Sequence, residues 1–198
     1  MSSSAWFEAE GLARRYFYKV DDRGALYLFN TKHKNVATAL RDKAFLKQFW
    51  GSLRQLEKPR RVDVLKADFH LVSICGNEES FLEVLDDNSS TALVFTDLNH
   101  EDNELLYAGE QLKEPFDPSK VRMGTTGRLY HPILTHRHLG SNKGKTDRPF
   151  YGLLHPHLAN RLLKDSLRQA NEGFMYEYRG TTHTILPLKP ESRGEDAG

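Results

Sequence analysis

One cysteine, Cys75, is this chain's whole supply of thiol, which excludes an internal disulfide and a cysteine-rich zinc site. Long apolar runs are missing too. Those present, such as Ala92, Leu93, Val94 and Phe95, fall far short of the roughly 20 residues that a membrane-crossing helix needs. No membrane insertion is expected. No stretch rich in proline, glycine and serine interrupts the interior, so the 198 residues, enough to bury a core, read as one domain. The first ten residues lack the apolar centre of a signal peptide, and Glu8 and Glu10 precede the first arginine, Arg14. The expected organisation is a flexible amino terminus over residues 1–12, a single domain over 13–188 and a disordered polar tail over 189–198.

Charge is abundant and unevenly placed. The net charge of +1 conceals twelve acidic residues against one basic, Lys113, over residues 76–117. Residues 122–168 hold nine Lys/Arg against Asp147 and Asp165. Two arrangements would account for this. Either the blocks form faces of opposite potential, one drawing an anionic ligand, nucleic acid or acidic protein surface, or they neutralise each other within the fold.

Periodicity supplies the elements. Tyr16, Tyr18 and Val20 alternate with Phe17 and Lys19, and Asp21, Asp22, Arg23 and Gly24 turn into a returning strand over 25–29. Apolar residues at 36, 39, 40, 46, 49, 50, 53 and 56 keep helical spacing, with Asn35 as N-cap or Asp42 opening a second segment, and Pro59 ends the helix. A long central strand is expected over 62–74, then strands over 80–85, 92–98 and 105–108, joined by short polar turns as an antiparallel meander. A further strand over 128–131 leads to a basic loop over 133–149, an amphipathic helix over 156–171 ended by Gly173, and a hairpin of 174–178 with 182–188. The order ββα, meander, αββ gives an α+β fold, a largely antiparallel sheet with helices packed on one face.

The motifs Tyr16-Phe17-Tyr18, Val20-Asp21, Cys75-Gly76, Phe81-Leu82, Val94-Phe95-Thr96 and, above all, Gly127-Arg128-Leu129-Tyr130-His131-Pro132 resemble those of the uncharacterised protein family 0598. Its vertebrate member is an open-reading-frame protein of chromosome eight. The resemblance runs from about residue 16 to the last hairpin. It implies a fold shared with proteins of unassigned activity, and a mitochondrial location, since the animal members are regarded as mitochondrial. With no visible transit peptide, the chain would otherwise be cytoplasmic. No catalytic residue comes with the resemblance.

Five of the nine histidines, His131, His136, His138, His155 and His157, fall in one window, and imidazoles in His-x-His pairs can share a metal ion. Arg137, Lys143, Lys145 and Arg148 in the same window oppose a dication, so neither metal nor cofactor is expected. Residues 140–146, Gly-Ser-Asn-Lys-Gly-Lys-Thr, are one residue short between the glycines of a phosphate-binding loop, and Asp147-Arg148-Pro149 does not open a helix. Their charge alone would still draw phosphate.

The ligand-binding candidates are Arg128, Tyr130 and His131, with Lys143, Lys145 and Arg148 as further anion contacts. Packing offers the same residues other roles, with Tyr130 and His131 in the core and Arg128 paired with the acidic block. The catalytic candidates are His131 and Cys75, a pair able to generate a thiolate nucleophile, although a cysteine closing an apolar strand is expected to be buried. Three functions are weighed on this basis. The first is a non-enzymatic protein-interaction domain of the assembly or adaptor type, with a protein partner. The second is an enzyme or ligand-binding domain for a small anionic molecule around Arg128, Tyr130 and His131. The third is RNA binding through the basic loop 136–148, which lacks the glycine-aromatic motifs of common RNA modules.

Overall fold

The computed structural model describes residues 8–10, 13–83, 92–140, 150–171 and 173–188. The expectations placed on the ends of the chain at residues 1–7, 11–12 and 189–198, and on Lys143, Lys145 and Arg148, lie outside them. In chain order the elements begin with strands β1 (Glu8–Glu10), β2 (Ala13–Val20) and β3 (Leu26–Leu28), helix α1 (Lys43–Gly51), and strands β4 (Leu53–Val62), β5 (Ala67–Cys75) and β6 (Glu78–Glu83). Short strands follow: β7 (Val94–Phe95), β8 (Asp97–Asn99), β9 (Glu104–Tyr107), β10 (Leu112–Pro115), β11 (Arg122–Met123), β12 (Leu129–Pro132) and β13 (Tyr151–Leu154). Helix α2 (Pro156–Leu163) precedes β14 (Arg168–Ala170), β15 (Gly173–Tyr178) and β16 (Thr181–Pro187).

Local chemistry explains the elements that form as expected. The β2–β3 hairpin pairs Tyr18 with Leu28 and Val20 with Leu26, and its turn is held by Asp21, whose Oδ1 accepts from the N–H groups of Arg23 (3.1 Å) and Ala25 (2.9 Å). The β15–β16 hairpin turns at Arg179 and Gly180.

Both helices are shorter than their apolar spacing suggests. Asp42 caps α1, accepting from Phe45 N–H at 2.7 Å, whereas Asn35 organises a separate turn through Ala37 and Thr38. From Leu53 onward the chain is strand, because Leu53 is buried opposite Ser73 of β5. Pro59 falls where the β4–β5 register shifts between Gln55 and Arg60, a place that needs no ladder N–H. The strand expected over 62–74 is broken by a 3₁₀ turn at Asp63–Leu65, with Lys66 left-handed at φ 50. Likewise α2 stops at Leu163, Asp165 turns left-handed at φ 64, and residues 168–170 join β15 as a strand. Leu167, counted toward the helix's apolar face, is exposed.

The strands make sheets of order β1-β2-β6-β5-β4 (with β3 on β2), β10-β9-β8, and β14-β15-β16-β11-β12-β13-β7. The chain is α+β and mostly sheet. Its pairs are mainly antiparallel, but β2·β6, β11·β16 and β13·β7 are parallel. Helix α1 packs on β5 and β10, and α2 on β15, so the two lie on different sheets. One apolar cluster, including Trp50, Leu71, Phe95, Leu105, Leu158 and Tyr176, joins all three sheets and both helices. A smaller one, built on Phe17, Phe69 and Phe81, lies within the first sheet. With a core continuous across the sheets, residues 13–188 are expected to melt in one calorimetric transition, and two resolved transitions would contradict this.

The parallel β2·β6 register also answers part of the acidic stretch, setting Arg14 against Glu78, Arg15 against Glu79 and Lys19 against Glu83. Arg15 is buried and bonds Glu79 at 3.0 Å. From the basic window, Arg161 pairs with Asp97.

Candidate functional site

Strand β12 alternates, and its two central side chains therefore enter different surroundings. Tyr130 packs with Val94 and Leu153. His131, on the other face, is 0% exposed, between Phe116 (centroids 5.5 Å) and Phe95 (6.1 Å). Its Nε2 accepts from the Asp117 N–H at 3.0 Å, so the neutral ring carries its proton on Nδ1, which has no hydrogen-bond partner among the described residues. Burial pushes its pKa down to about 4, outweighing the raising influence of neighbouring backbone and Asp117. The ring is held neutral and shut off from solvent.

Gly152 stands opposite His131 on β13 and makes room for Phe95, since a Cβ there would lie 2.5 Å from Phe95 Cε2 and 3.1 Å from Leu93 Cδ2. Gly152→Ala is therefore expected to cost about 2 kcal/mol by overpacking, read as a shifted urea midpoint with an unchanged slope.

Arg128 lies just before β12, exposed, with its guanidinium 3.5 Å from Asp22. The structure thus separates the three candidates. Arg128 faces solvent, Tyr130 one packed layer and His131 another.

Cys75 corrects an expectation. It is exposed, because it ends β5 at a tight turn through Gly76 and Asn77 to Glu78, its own cross-strand partner. It makes no pair with His131, whose Nε2 is engaged by Asp117 and whose Nδ1 bonds nothing described. The folded protein is expected to yield one thiol to Ellman's reagent without denaturant. A thiol that reacts only after unfolding would contradict the exposed position.

The remaining histidines do not line one face of a strand. His136 is buried, its Nε2 2.7 Å from the Trp50 carbonyl and its Nδ1 accepting from His138 and Leu139 N–H groups, both at 3.2 Å. Burial lowers its pKa. His155 caps α2 by accepting from His157 N–H at 3.1 Å. Among the described residues no three His, Cys, Asp or Glu side chains are grouped to hold a metal.

Beside His136 is a residue with no local signal in the sequence. Glu114 on β10 is 0% exposed, and its Oε2 accepts from Leu134 N–H (3.1 Å), Thr135 N–H (2.8 Å) and Thr135 Oγ1–H (3.0 Å). Only its place on an alternating strand, with Glu114 opposite Leu105, points inward. A second feature, visible in the sequence as a local excess of charge, is that residues 41–66 hold eight Lys/Arg against three Asp/Glu. Arg41, Lys43, Lys47, Lys58 and Lys66 are exposed and make no ion pair among the described residues.

Compared with known proteins, the chain matches the family model of a domain of unknown function, DUF4505, over residues 7–181. A solved structure, a DUF1285 family protein from Silicibacter pomeroyi DSS-3, is 13% identical, with 94% of this chain and 93% of that one covered at a TM-score of 0.47. No helix among the described residues is long and apolar enough to cross a membrane.

Proposed function

This chain belongs to the DUF4505 family, a domain of unknown function, and from that premise we propose that it is a non-enzymatic interaction domain of the assembly or adaptor type, binding an acidic segment of a protein partner. The reading extends to kinship with family 0598 and, with it, work inside mitochondria. The observation that carries it is the run of exposed cations, unpaired among the described residues, on α1 and β4: Lys43 and Lys47 one helical turn apart, then Lys58 on the edge strand. Strand β4 is guarded against pairing with another strand by its register shift, Pro59 and flanking charges. The partner is therefore read through side-chain charge. Lys143, Lys145 and Arg148 are included as a second basic contact.

The test is fluorescence anisotropy with a glutamate-rich peptide and, as comparator, a single-stranded RNA of equal charge. Replacing Lys43, Lys47 and Lys58 with glutamate is expected to weaken peptide binding at least tenfold, as added salt does. Serine at 143, 145 and 148 should weaken it less, with stability within about 0.5 kcal/mol of the parent. Unchanged peptide binding in the charge-reversed variant would refute the reading, and preference for the RNA would move it to nucleic acid.

A second reading, a small anionic ligand at Arg128, is favoured by one feature. The Arg128–Asp22 pair is long, at 3.5 Å, and exposed, so a carboxylate or phosphate can replace Asp22 at little cost. Phosphate-induced shifts of the Arg128 side-chain resonances, absent in Arg128→Gln, would support it.

A further inference from the structure

Residues 133–140 are fastened at two points by two different groups. At the front, Glu114 accepts from Leu134 and Thr135 as described. At the back the fastening is the His136 ring. A carbonyl cannot donate, so the 2.7 Å contact with the Trp50 oxygen requires the proton on Nε2. The Nδ1 lone pair then accepts the His138 and Leu139 N–H groups at 3.2 Å each. Gly140 completes the turn, donating to the His136 carbonyl at 2.9 Å. A Cβ at Gly140 would sit 2.7 Å from the carbonyl oxygens of both His136 and Leu134, so the turn closes this tightly only with glycine.

A neutral imidazole has one lone pair, and here it is fully used. An imidazolium has none. Protonation at Nδ1 would aim a third donor at two N–H groups, so the charged ring and the closed turn exclude each other. The groups facing the ring are the Trp50 carbonyl from α1, the Glu114 carboxylate from β10 with Tyr107 of β9 beside it, and His138 of the segment itself, its ring 6.4 Å away. Burial works against the charged ring more strongly than the Trp50 carbonyl and Glu114 favour it.

We propose that His136 is an acid-operated clasp: taking a proton from solvent at Nδ1, it releases the His138 and Leu139 amides to water and frees residues 137–140 from its ring, which stays bonded to the Trp50 carbonyl, while Glu114 keeps Leu134 and Thr135 in place. Opening uncovers Leu139, buried when closed. The sign follows from linkage. The folded value lies below the unfolded value of about 6.5, so the fastening is complete above that pH and is lost as pH falls through the depressed folded value.

Amide exchange measured residue by residue between pH 7.5 and 5, corrected for intrinsic rates, tests this. Protection of His138 and Leu139 is expected to fall at least tenfold relative to Leu134 and Thr135. A constant ratio, or equal loss at all four sites, would overturn the clasp, because equal loss means global opening. In His136→Asn, the side-chain oxygen substitutes for Nδ1 as acceptor but does not titrate, and the ratio should become independent of pH. A ratio that still falls in that variant would assign the switch to another group and equally overturn it. Should the variant not fold, the four-site comparison in the parent protein decides alone.

Discussion

Lowering the pH from 7 to 4 is expected to cost this fold about 3 kcal/mol through His131 alone. The unfolded imidazole takes its proton near pH 6.5, the folded one only at about 4. Between those values the unfolded state holds more protons, so stability falls with pH through that window and levels off below it. The cause is the surroundings of the ring, with Phe95 and Phe116 against it and an Asp117 N–H already using the one lone pair. Lys120, on the 3₁₀ turn of Pro118–Lys120, opposes a charged ring, and the Asp117 carboxylate favours one. Urea unfolding at intervals from pH 7.5 to 4 reads the effect. His131→Phe keeps an aromatic ring but strands the Asp117 donor, and should cost about 1 to 3 kcal/mol at pH 7. Between pH 6.5 and 4 its stability should then fall more gently than the parent's, by the share of one proton. Parallel pH profiles for the two proteins would show that His131 is not held neutral by burial. His136 titrates in both, so it drops out of the difference.

The other large effect belongs to Glu114. Glu114→Ala leaves two buried N–H groups and a hydroxyl of the 133–135 segment without their acceptor, and is expected to cost about 4 kcal/mol, in the range for breaking a buried charged network. Glu114→Gln keeps one carbonyl oxygen for those donors and should cost about 1 to 2 kcal/mol, mostly the loss of charge-assisted strength. The measurement is the urea midpoint at pH 7, with amide exchange at Leu134 and Thr135 locating the damage. A loss under about 1 kcal/mol for the alanine variant would mean the segment stands without its carboxylate.

What the sequence made legible was local. Both hairpins could be read because turn residues and strand alternation lie within a few positions of each other, as at Asp21 to Gly24. The helix ends could not, because Leu53, Leu56 and Leu167 fall at spacings that suit a helix, while a distant strand decides their conformation. Leu53 goes to β5 and residues 168–170 to β15. The parallel pairs were hidden for the same reason. At the candidate site, the block from Gly127 to Pro132 stands out in the sequence, but how its side chains divide between layers does not. Glu114 escaped notice because the donors it serves are 20 and 21 residues away. Cys75 is bare although it ends an apolar run, because the tight turn that follows it leads straight to Glu78 and leaves the strand end uncovered.

The pairing of β2 with β6 has a consequence for how the protein is made. Arg15 and Glu79 are 64 positions apart, and β2 emerges from a ribosome long before its neighbour. At the usual pace of about 5 to 20 residues per second, it waits roughly 3 to 13 seconds for β6, with only the short β1 and β3 against its other edge. During that interval Phe17 and Tyr18, later among the buried rings of the two cores, are uncovered on a nascent chain. This is the kind of segment that holding chaperones bind, and the order of synthesis leaves β2 waiting longer than β5 for the strand β6 that closes both.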